Sequence, residues 1–251
     1  MSVGKVTLVG AGPGAADLIT VRGMRAIESA DIILYDALSG DDLLSYAAED
    51  AELIYVGKRC GQHSLKQPDI NALLYTSALK ANHVVRLKGG DPFIFGRGHE
   101  ELKYLQRRNV AVEIVPGISS STSLPLLQNV PLTRRRIAES FWVLTGTTKE
   151  HALSGDIRIA AQTTATLVIL MGMRKLGEIT DILKGEDKGD TAVMVIQNGS
   201  RKDQKVVIGT VDSIIEKVEQ AGVGAPGIIV IGEVVNLHPQ LTQEEVIEVC
   251  K

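Results

Sequence analysis

The amino-acid sequence predicts an α/β protein of two domains, the first built around a mostly parallel sheet and the second around a mixed sheet. Short runs of aliphatic and β-branched residues recur along the chain, and most are separated by segments long enough for a helix. A segment rich in proline and serine interrupts this alternation near the middle of the 251 residues. The predicted domains are therefore residues 1–118 and 119–251.

The first half contains five predicted strands that alternate with helical segments, as in βαβ units. These strands cover residues 6–9, 32–35, 53–56, 84–87 and 112–115. One intervening helix is indicated by Ile70, Leu73 and Leu74, which share a face at helical spacing, and by Pro68 in its first turn. Because ligands of such sheets bind at the carboxyl ends of the strands, we expect the functional residues to follow the strands.

The second half begins after the interrupting segment, which runs from Pro116 to Pro131 and holds three of the eight prolines. Its predicted strands cover residues 141–144, 167–171, 192–196, 206–208 and 228–231. The strand at 206–208 follows the turn-like residues 198–201 too closely for a helical crossover. We therefore predict a hairpin at this point, and with it a mixed sheet.

Composition excludes several classes of protein. The net charge of −3 and the isoelectric point near 6.0 lack the electrostatic signature of a nucleic-acid binder. No apolar run reaches the roughly 18 residues of a membrane span. Cys60 and Cys250 are the only cysteines, too few for a disulfide framework, which favours a reducing, cytoplasmic location. Cys60 and His63 alone do not make a zinc site, so no metal is predicted.

A glycine-rich turn follows the first predicted strand. Its spacing, Gly10-x-Gly12-x-x-Ala15, fits the loose dinucleotide fingerprint, and Asp36 lies roughly where that fingerprint has its ribose-binding acid. Taken alone, these residues favour an NAD-dependent oxidoreductase. Pro13 argues against this interpretation, because it removes a backbone donor from the loop that would meet the pyrophosphate.

A second glycine turn carries more information. Residues 86–98 read RLKGGDPFIFGRG directly after a predicted strand, a longer loop than an NAD-binding unit requires. With the first glycine turn, LYD at 34–36, YVGKR at 55–59 and VPGI at 115–118, this run closely resembles the tetrapyrrole methyltransferases. The resemblance extends from about Lys5 to Val235, nearly the whole chain.

The resemblance implies two α/β domains with the active site in the cleft between them, usually in a homodimer. It also implies an enzyme that uses S-adenosyl-L-methionine (SAM) to methylate uroporphyrinogen III at two ring carbons, C-2 and C-7. The products would be precorrin-2, on the way to sirohaem or cobalamin, and S-adenosyl-L-homocysteine. Methylation of a later corrin precursor and tetrapyrrole binding without catalysis remain alternatives.

The resemblance also assigns residues. Asp36 matches the proton acceptor of the family and Lys58 its proton donor. The implied SAM contacts are Pro13, Gly89, Gly90, Asp91, Ile94, Ser119, Ser120, Met171 and Gly199. Because the substrate carries eight carboxylates, its pocket needs cations, and the sequence offers Arg97 and Arg134 for this role. Lys88 and Arg86 are further candidate cations.

Several of these residues also have a purely structural interpretation. Met171 ends an apolar run and, on sequence alone, is typical of a core residue. Asp36 is equally compatible with a capping or ribose-binding acid. Ser119 and Ser120 suit the start of a helix, and Arg134 begins a run of three arginines that is typical of a solvated surface.

Overall fold

The computed structural model describes residues 3–57 and 65–241. Clustering of the backbone divides the chain into a first unit, Met1–Ser119, and a second unit, Ser120–Lys251. The division falls inside the segment between Pro116 and Pro131. That residues 1–118 and 119–251 fold as separate domains stays a prediction.

The first unit is built on a sheet of five strands in the order β3-β2-β4-β1-β5, and every pairing in it is parallel. Its strands are β1 (Lys5–Gly10), β2 (Ile32–Tyr35), β3 (Glu52–Tyr55), β4 (His83–Lys88) and β5 (Val112–Val115). Its helices are α1 (Val21–Glu28), α2 (Gln67–Ala78) and α3 (Gly98–Gln106), with 3-10 turns at Ala16–Leu18 and Asp41–Tyr46. The predicted parallel sheet is confirmed.

Helices cover both faces of this sheet. Leu74 of α2 and Leu105 of α3 pack with Leu8 in one buried cluster, whereas Ile27 of α1 packs with Val9 in another. Because both faces are covered, β4 is buried at all six positions. A side-chain cap marks the start of α1, where the Thr20 hydroxyl accepts a hydrogen bond from Gly23 N.

The second unit has a mixed sheet in the order β6-β7-β10-β8-β9. The β6–β7 pair is parallel, and the other pairs are antiparallel, including the predicted β8–β9 hairpin. Its strands are β6 (Phe141–Thr145), β7 (Thr166–Leu170), β8 (Ala192–Gln197), β9 (Lys205–Thr210) and β10 (Gly227–Ile231). Its helices are α4 (Ser120–Leu127), α5 (Asp156–Ala161), α6 (Leu176–Lys184) and α7 (Ile214–Gln220), with 3-10 turns at Met173–Lys175 and Glu233–Leu237.

The predicted strands coincide with the observed ones to within two residues at either end. One difference matters for function: the strand predicted to reach residue 171 ends at Leu170. Met171 has a φ of 54°, the left-handed conformation, so it belongs to the turn that follows. In the described part of the chain, no helix has the length and apolar character needed to cross a membrane.

Candidate active site

Four of the parallel strands in the first unit end along one border of the sheet, which we call the first carboxyl edge. Gly10 lies beside Lys88 and Val9 beside Val115, while Tyr35 lies beside Leu87. The chain leaves these strands through four segments that hold Pro13, Asp36, Gly89–Asp91 and Ser119. The structure therefore brings most of the predicted site residues of this unit to one edge.

Backbone contacts between glycines hold the turns of this edge together. Gly12 and Gly90 exchange two backbone hydrogen bonds, of 2.7 and 3.2 Å. A Cβ on Gly10 would lie 2.5 Å from Gly117 N and 2.7 Å from Gly90 O, so a side chain there would separate the turns. Close packing of three turns is thus a structural reason for glycine at position 10.

Gly90 is different. Its φ is +66°, and a Cβ placed on it would meet no protein atom within 4 Å. The backbone of Gly90 therefore borders open space, where a ligand can approach it without a side chain intervening. This observation fits the predicted SAM contact at Gly90.

Asp91 has a structural role that the sequence analysis missed. Its Oδ1 accepts a hydrogen bond from Phe93 N at 2.8 Å, which closes an Asx turn, and its Oδ2 accepts one from Gly117 N at 3.1 Å. The carboxylate thus ties the loop after β4 to the segment after β5. Phe93 and Ile94, which follow Pro92, are exposed. The roles of Asp91 and Ile94 as SAM contacts stay predictions.

Asp36 directly follows β2, and its carboxylate is held from two sides. Oδ1 accepts a hydrogen bond from Leu38 N at 3.1 Å and lies 3.1 Å from the Ser39 hydroxyl. Oδ2 accepts one from Arg86 Nη2 at 2.9 Å. The side chain keeps 24% of its surface exposed, so it is partly accessible while the orientation of its carboxylate is restrained.

Arg86 and Lys88 are not the substrate-facing cations that the sequence suggested. Both side chains are buried, and both contact Glu101 Oε1, at 3.4 Å from Arg86 Nε and 3.0 Å from Lys88 Nζ. Burial, followed by the neighbouring Arg86, lowers the pKa of Lys88. The sequence analysis missed Glu101. The sequence nevertheless indicated such a partner. Arg86 and Lys88 are two residues apart in an apolar strand, so both lie on one face of a buried sheet, where two cations need an anion.

The remaining predicted cations have different outcomes. Lys58, with Cys60 and His63, lies outside the described residues. Arg97 is about half exposed and forms a two-point ion pair with Glu100, with N–O distances of 2.7 and 2.8 Å. Arg134 is exposed, as expected for a solvated run.

Three strands of the second unit also end together, at what we call the second carboxyl edge. Thr145 lies beside Leu170, and both Leu170 and Gln197 border the start of β10. The turns that follow contain Met171 and Gly199. The Thr147 hydroxyl donates a hydrogen bond to Met171 O at 2.9 Å.

Met171 is not a core residue, because half of its surface is exposed. Gly199 is buried against α4, the helix that begins at Ser120: a Cβ on Gly199 would lie 2.5 Å from Leu124 Cδ2. The predicted SAM contacts Ser120 and Gly199 are thus carried by two segments that pack together, and Met171 occupies the same sheet edge as Gly199.

No group of three or more His, Cys, Asp or Glu side chains within residues 3–57 and 65–241 is arranged to hold a metal ion.

Comparison with known proteins identifies the family. The model of the tetrapyrrole (corrin/porphyrin) methylases matches residues 5–215, well over half of the chain. The chain belongs to this family. A uroporphyrinogen-III C-methyltransferase from Methanocaldococcus jannaschii is 45% identical over 236 residues, which cover 93% of this chain and 98% of that relative.

Other members of the family are longer. A siroheme synthase from Actinobacillus pleuropneumoniae is 42% identical over 240 residues, which cover 95% of this chain but 49% of that protein. The chain therefore spans about half the length of the siroheme synthases that it matches.

Solved structures agree with the family assignment. A uroporphyrin-III C-methyltransferase from Thermus thermophilus, complexed with S-adenosylhomocysteine, superimposes with a TM-score of 0.80 at 35% identity. The superposition covers 93% of this chain and all of that one. A cobalt precorrin-4 methyltransferase shares the fold, with a TM-score of 0.82 at 24% identity. The resemblance found in the sequence is confirmed, whereas the NAD-dependent oxidoreductase alternative has no support.

Proposed function

We propose that this chain transfers methyl groups from SAM to carbons C-2 and C-7 of uroporphyrinogen III. The products are precorrin-2, a precursor in sirohaem and cobalamin biosynthesis, and S-adenosylhomocysteine. The observation that carries the proposal is the 45% identity to a uroporphyrinogen-III C-methyltransferase over 98% of its length. Residues 86–98, which supplied the most specific part of the resemblance, lie inside residues 5–215, which the family model matches.

The residues present fit SAM as the methyl donor. In the first unit the proposed contacts are Pro13, Gly89, Gly90, Asp91, Ile94 and Ser119, and in the second they are Ser120, Met171 and Gly199. The open space at Gly90 and the exposed Met171 side chain support this assignment. When bound, SAM supplies an electrophilic methyl group on a sulfonium, and holding that group in line with the acceptor carbon provides most of the catalysis.

Asp36 is the proposed proton acceptor. The acceptor carbon belongs to an electron-rich pyrrole, so the protein does not have to generate a strong nucleophile. After methylation the macrocycle carries a positive charge and must lose a proton. A restrained carboxylate on a partly exposed side chain is suited to stabilise that charge and to take the proton. Lys58 remains the proposed proton donor.

Arg97 and Arg134 are proposed to bind substrate carboxylates. Arg97 donates to Glu100 through Nε and Nη2, so a substrate carboxylate has to compete with this exposed ion pair. Exposed pairs of this kind contribute only about 0–1 kcal/mol, which makes exchange for a multiply charged ligand inexpensive.

Anaerobic incubation with SAM and uroporphyrinogen III, followed by mass spectrometry of the tetrapyrrole, tests the function. We expect the mass to rise by two methyl groups. No gain, combined with intact binding of S-adenosylhomocysteine, would redirect the proposal to a later corrin precursor. No gain and no binding would refute methyl transfer by this chain.

We also propose that the protein is a homodimer located in the cytoplasm. Family resemblance supports the dimer, and the use of only two cysteines supports a reducing compartment. Light scattering of the purified protein should give twice the chain mass of 26.9 kDa. The mass of a single chain would contradict the dimer.

A further inference from the structure

We propose that Glu101 is a positioning residue for Asp36, acting through Arg86. This inference rests on the proposed function, in which Asp36 accepts the proton. Glu101 belongs to α3 and does not contact Asp36 directly; its Oε1 lies 3.4 Å from Arg86 Nε, and Arg86 Nη2 lies 2.9 Å from Asp36 Oδ2. One guanidinium thus joins the two carboxylates.

Solvent exposure increases from Glu101 through Arg86 to Asp36. The Glu101 side chain is fully buried, Arg86 is 4% exposed, and Asp36 is 24% exposed. The network therefore starts in the interior, between α3 and the sheet, and ends at the carboxylate proposed to meet the substrate. A rigid interior anchor for an exposed functional group is the arrangement that fixes such a group in place.

The Arg86 guanidinium is held on every side. Its Nη1 donates a hydrogen bond to Leu87 O at 2.6 Å and lies 3.4 Å from Leu34 O. With Nε directed at Glu101, only Nη2 remains for Asp36. Because the guanidinium is planar and its donors are fixed in direction, constraints on Nε and Nη1 determine where Nη2 points.

The charges of the network are balanced by Glu101. Arg86 and Lys88 are two buried cations, and Glu101 and Asp36 are the two anions that contact them. Without the Glu101 charge, Asp36 would be the only anion of this network for two buried cations, and the orientation of its carboxylate would change. Since buried ion networks are seldom more stable than apolar packing, stability alone does not account for this one.

The contacts of Glu101 are strongly unequal. Oε1 is shared by Lys88, Arg86 and the Gln67 amide, which donates at 3.1 Å, whereas Oε2 is buried without a hydrogen-bond partner. An unpaired buried oxygen costs stability. Despite this cost, Gln67, Arg86 and Lys88 all donate to Oε1, the oxygen that faces Arg86.

Glu101→Gln tests the inference, because it keeps the shape of the side chain and removes its charge. We expect kcat for methyl uptake to fall on the order of tenfold to a hundredfold, the effect of a small misplacement of a functional group. The Kd for S-adenosylhomocysteine should stay within about twofold of wild type. Glu178→Gln, which breaks an exposed ion pair with Lys175, is the matched control and should change neither quantity.

A double-mutant cycle with Asp36→Asn separates positioning from general loss of structure. If Glu101 acts through Asp36, adding Glu101→Gln to Asp36→Asn should not slow the reaction further. Rates that fall by the product of the two single effects would overturn the inference. Should Glu101→Gln not fold, Arg86→Lys keeps the positive charge but removes the planar guanidinium that joins the two carboxylates; wild-type kcat in that variant would equally overturn the inference.

The same double-mutant cycle can be measured by the unfolding midpoints of the four proteins, which do not depend on activity. Coupling through Arg86 predicts that the double variant loses less stability than the sum of the single losses, although the two carboxylates are not in contact. Absence of methyl uptake by the wild-type protein would refute the proposed function, and the stability cycle would still decide the coupling. Additive midpoints with an active wild-type enzyme would refute only the inference.

Discussion

Gly90 is a residue at which the fold and the proposed ligand both favour glycine. Its backbone is left-handed, with φ +66°, but nothing in the protein occupies the space where a side chain would begin. Gly222, which follows α7 in the second unit, shares both properties with φ +57° and is exposed. The two glycines form a matched pair in which only one lies at a carboxyl edge.

We expect Gly90→Ala and Gly222→Ala each to lower the free energy of unfolding by about 1–2 kcal/mol, the cost of a side chain in this conformation. Only Gly90→Ala should weaken the binding of S-adenosylhomocysteine, by tenfold or more, because its methyl group enters the space proposed for the ligand. Calorimetric titration of both variants measures this. Equal affinities would remove Gly90 from the SAM site.

Asp36 combines a structural and a proposed chemical role in one carboxylate. Asp36→Asn retains an oxygen for the hydrogen bond from Leu38 N but loses the charge that faces Arg86. We expect kcat to fall about 10²–10⁴-fold, the usual contribution of a general base. The affinity for S-adenosylhomocysteine should remain within about twofold. Unchanged turnover in a single-turnover assay would exclude Asp36 as the proton acceptor.

At the scale of elements, His83 joins three parts of the first unit. It begins β4, its Nε2 lies 2.9 Å from the Thr7 hydroxyl of β1, and its Nδ1 lies 3.0 Å from Ser29 O after α1. Burial lowers the pKa of His83 from its ordinary 6.5, despite the hydrogen bond to Ser29 O and the nearby Asp31, which act in the opposite direction.

This shift predicts a pH dependence of stability. The unfolded chain binds the proton near pH 6.5, whereas the folded protein binds it only at lower pH. The stabilisation is therefore present above about 6.5 and is lost as the pH falls below that value. Chemical unfolding at pH 7.5 and 5.5 should show a smaller loss for His83→Gln than for wild type. A control, His151→Gln at an exposed position, should retain the wild-type loss.

The packing of α4 against the turn after β8 is another relation between elements. Leu124 of α4 occupies the space beside Gly199, so Gly199→Ala should overpack this contact at a cost of about 1–3 kcal/mol. Leu124→Val withdraws the clashing methyl groups. We expect the double variant to lose less stability than the sum of the single variants. Additive losses in urea unfolding would contradict the contact.

For the whole molecule, a ligand that binds only the folded state raises its stability. S-adenosylhomocysteine at about 100 times its Kd should add about 2.7 kcal/mol, which shifts the melting temperature by several degrees. NAD should leave it unchanged. A shift with NAD and none with S-adenosylhomocysteine would revive the dinucleotide interpretation of the Gly10–Ala15 turn.

Much of the fold and part of the candidate site were predictable from local sequence. The strands were identified because aliphatic runs and helical periodicity are properties of neighbouring residues, and the β8–β9 hairpin because 198–201 is too short for a crossover. The motif at 86–98 was equally readable, because its residues are contiguous in the sequence. These features depend on residues a few positions apart.

The sequence by itself therefore determined the fold class, the strands and the family. Tertiary structure alone decided that Arg86 and Lys88 turn inward to Glu101, that Met171 is exposed, and that Gly10 meets Gly117. The contacts of the two cations and of Gly10 depend on which strands become neighbours, and the exposure of Met171 depends on the left-handed turn after β7. The order β3-β2-β4-β1-β5 places β4 in the interior of its sheet and β1 beside β5. Such neighbours come from distant parts of the chain, and burial then obliges each charge to find a partner.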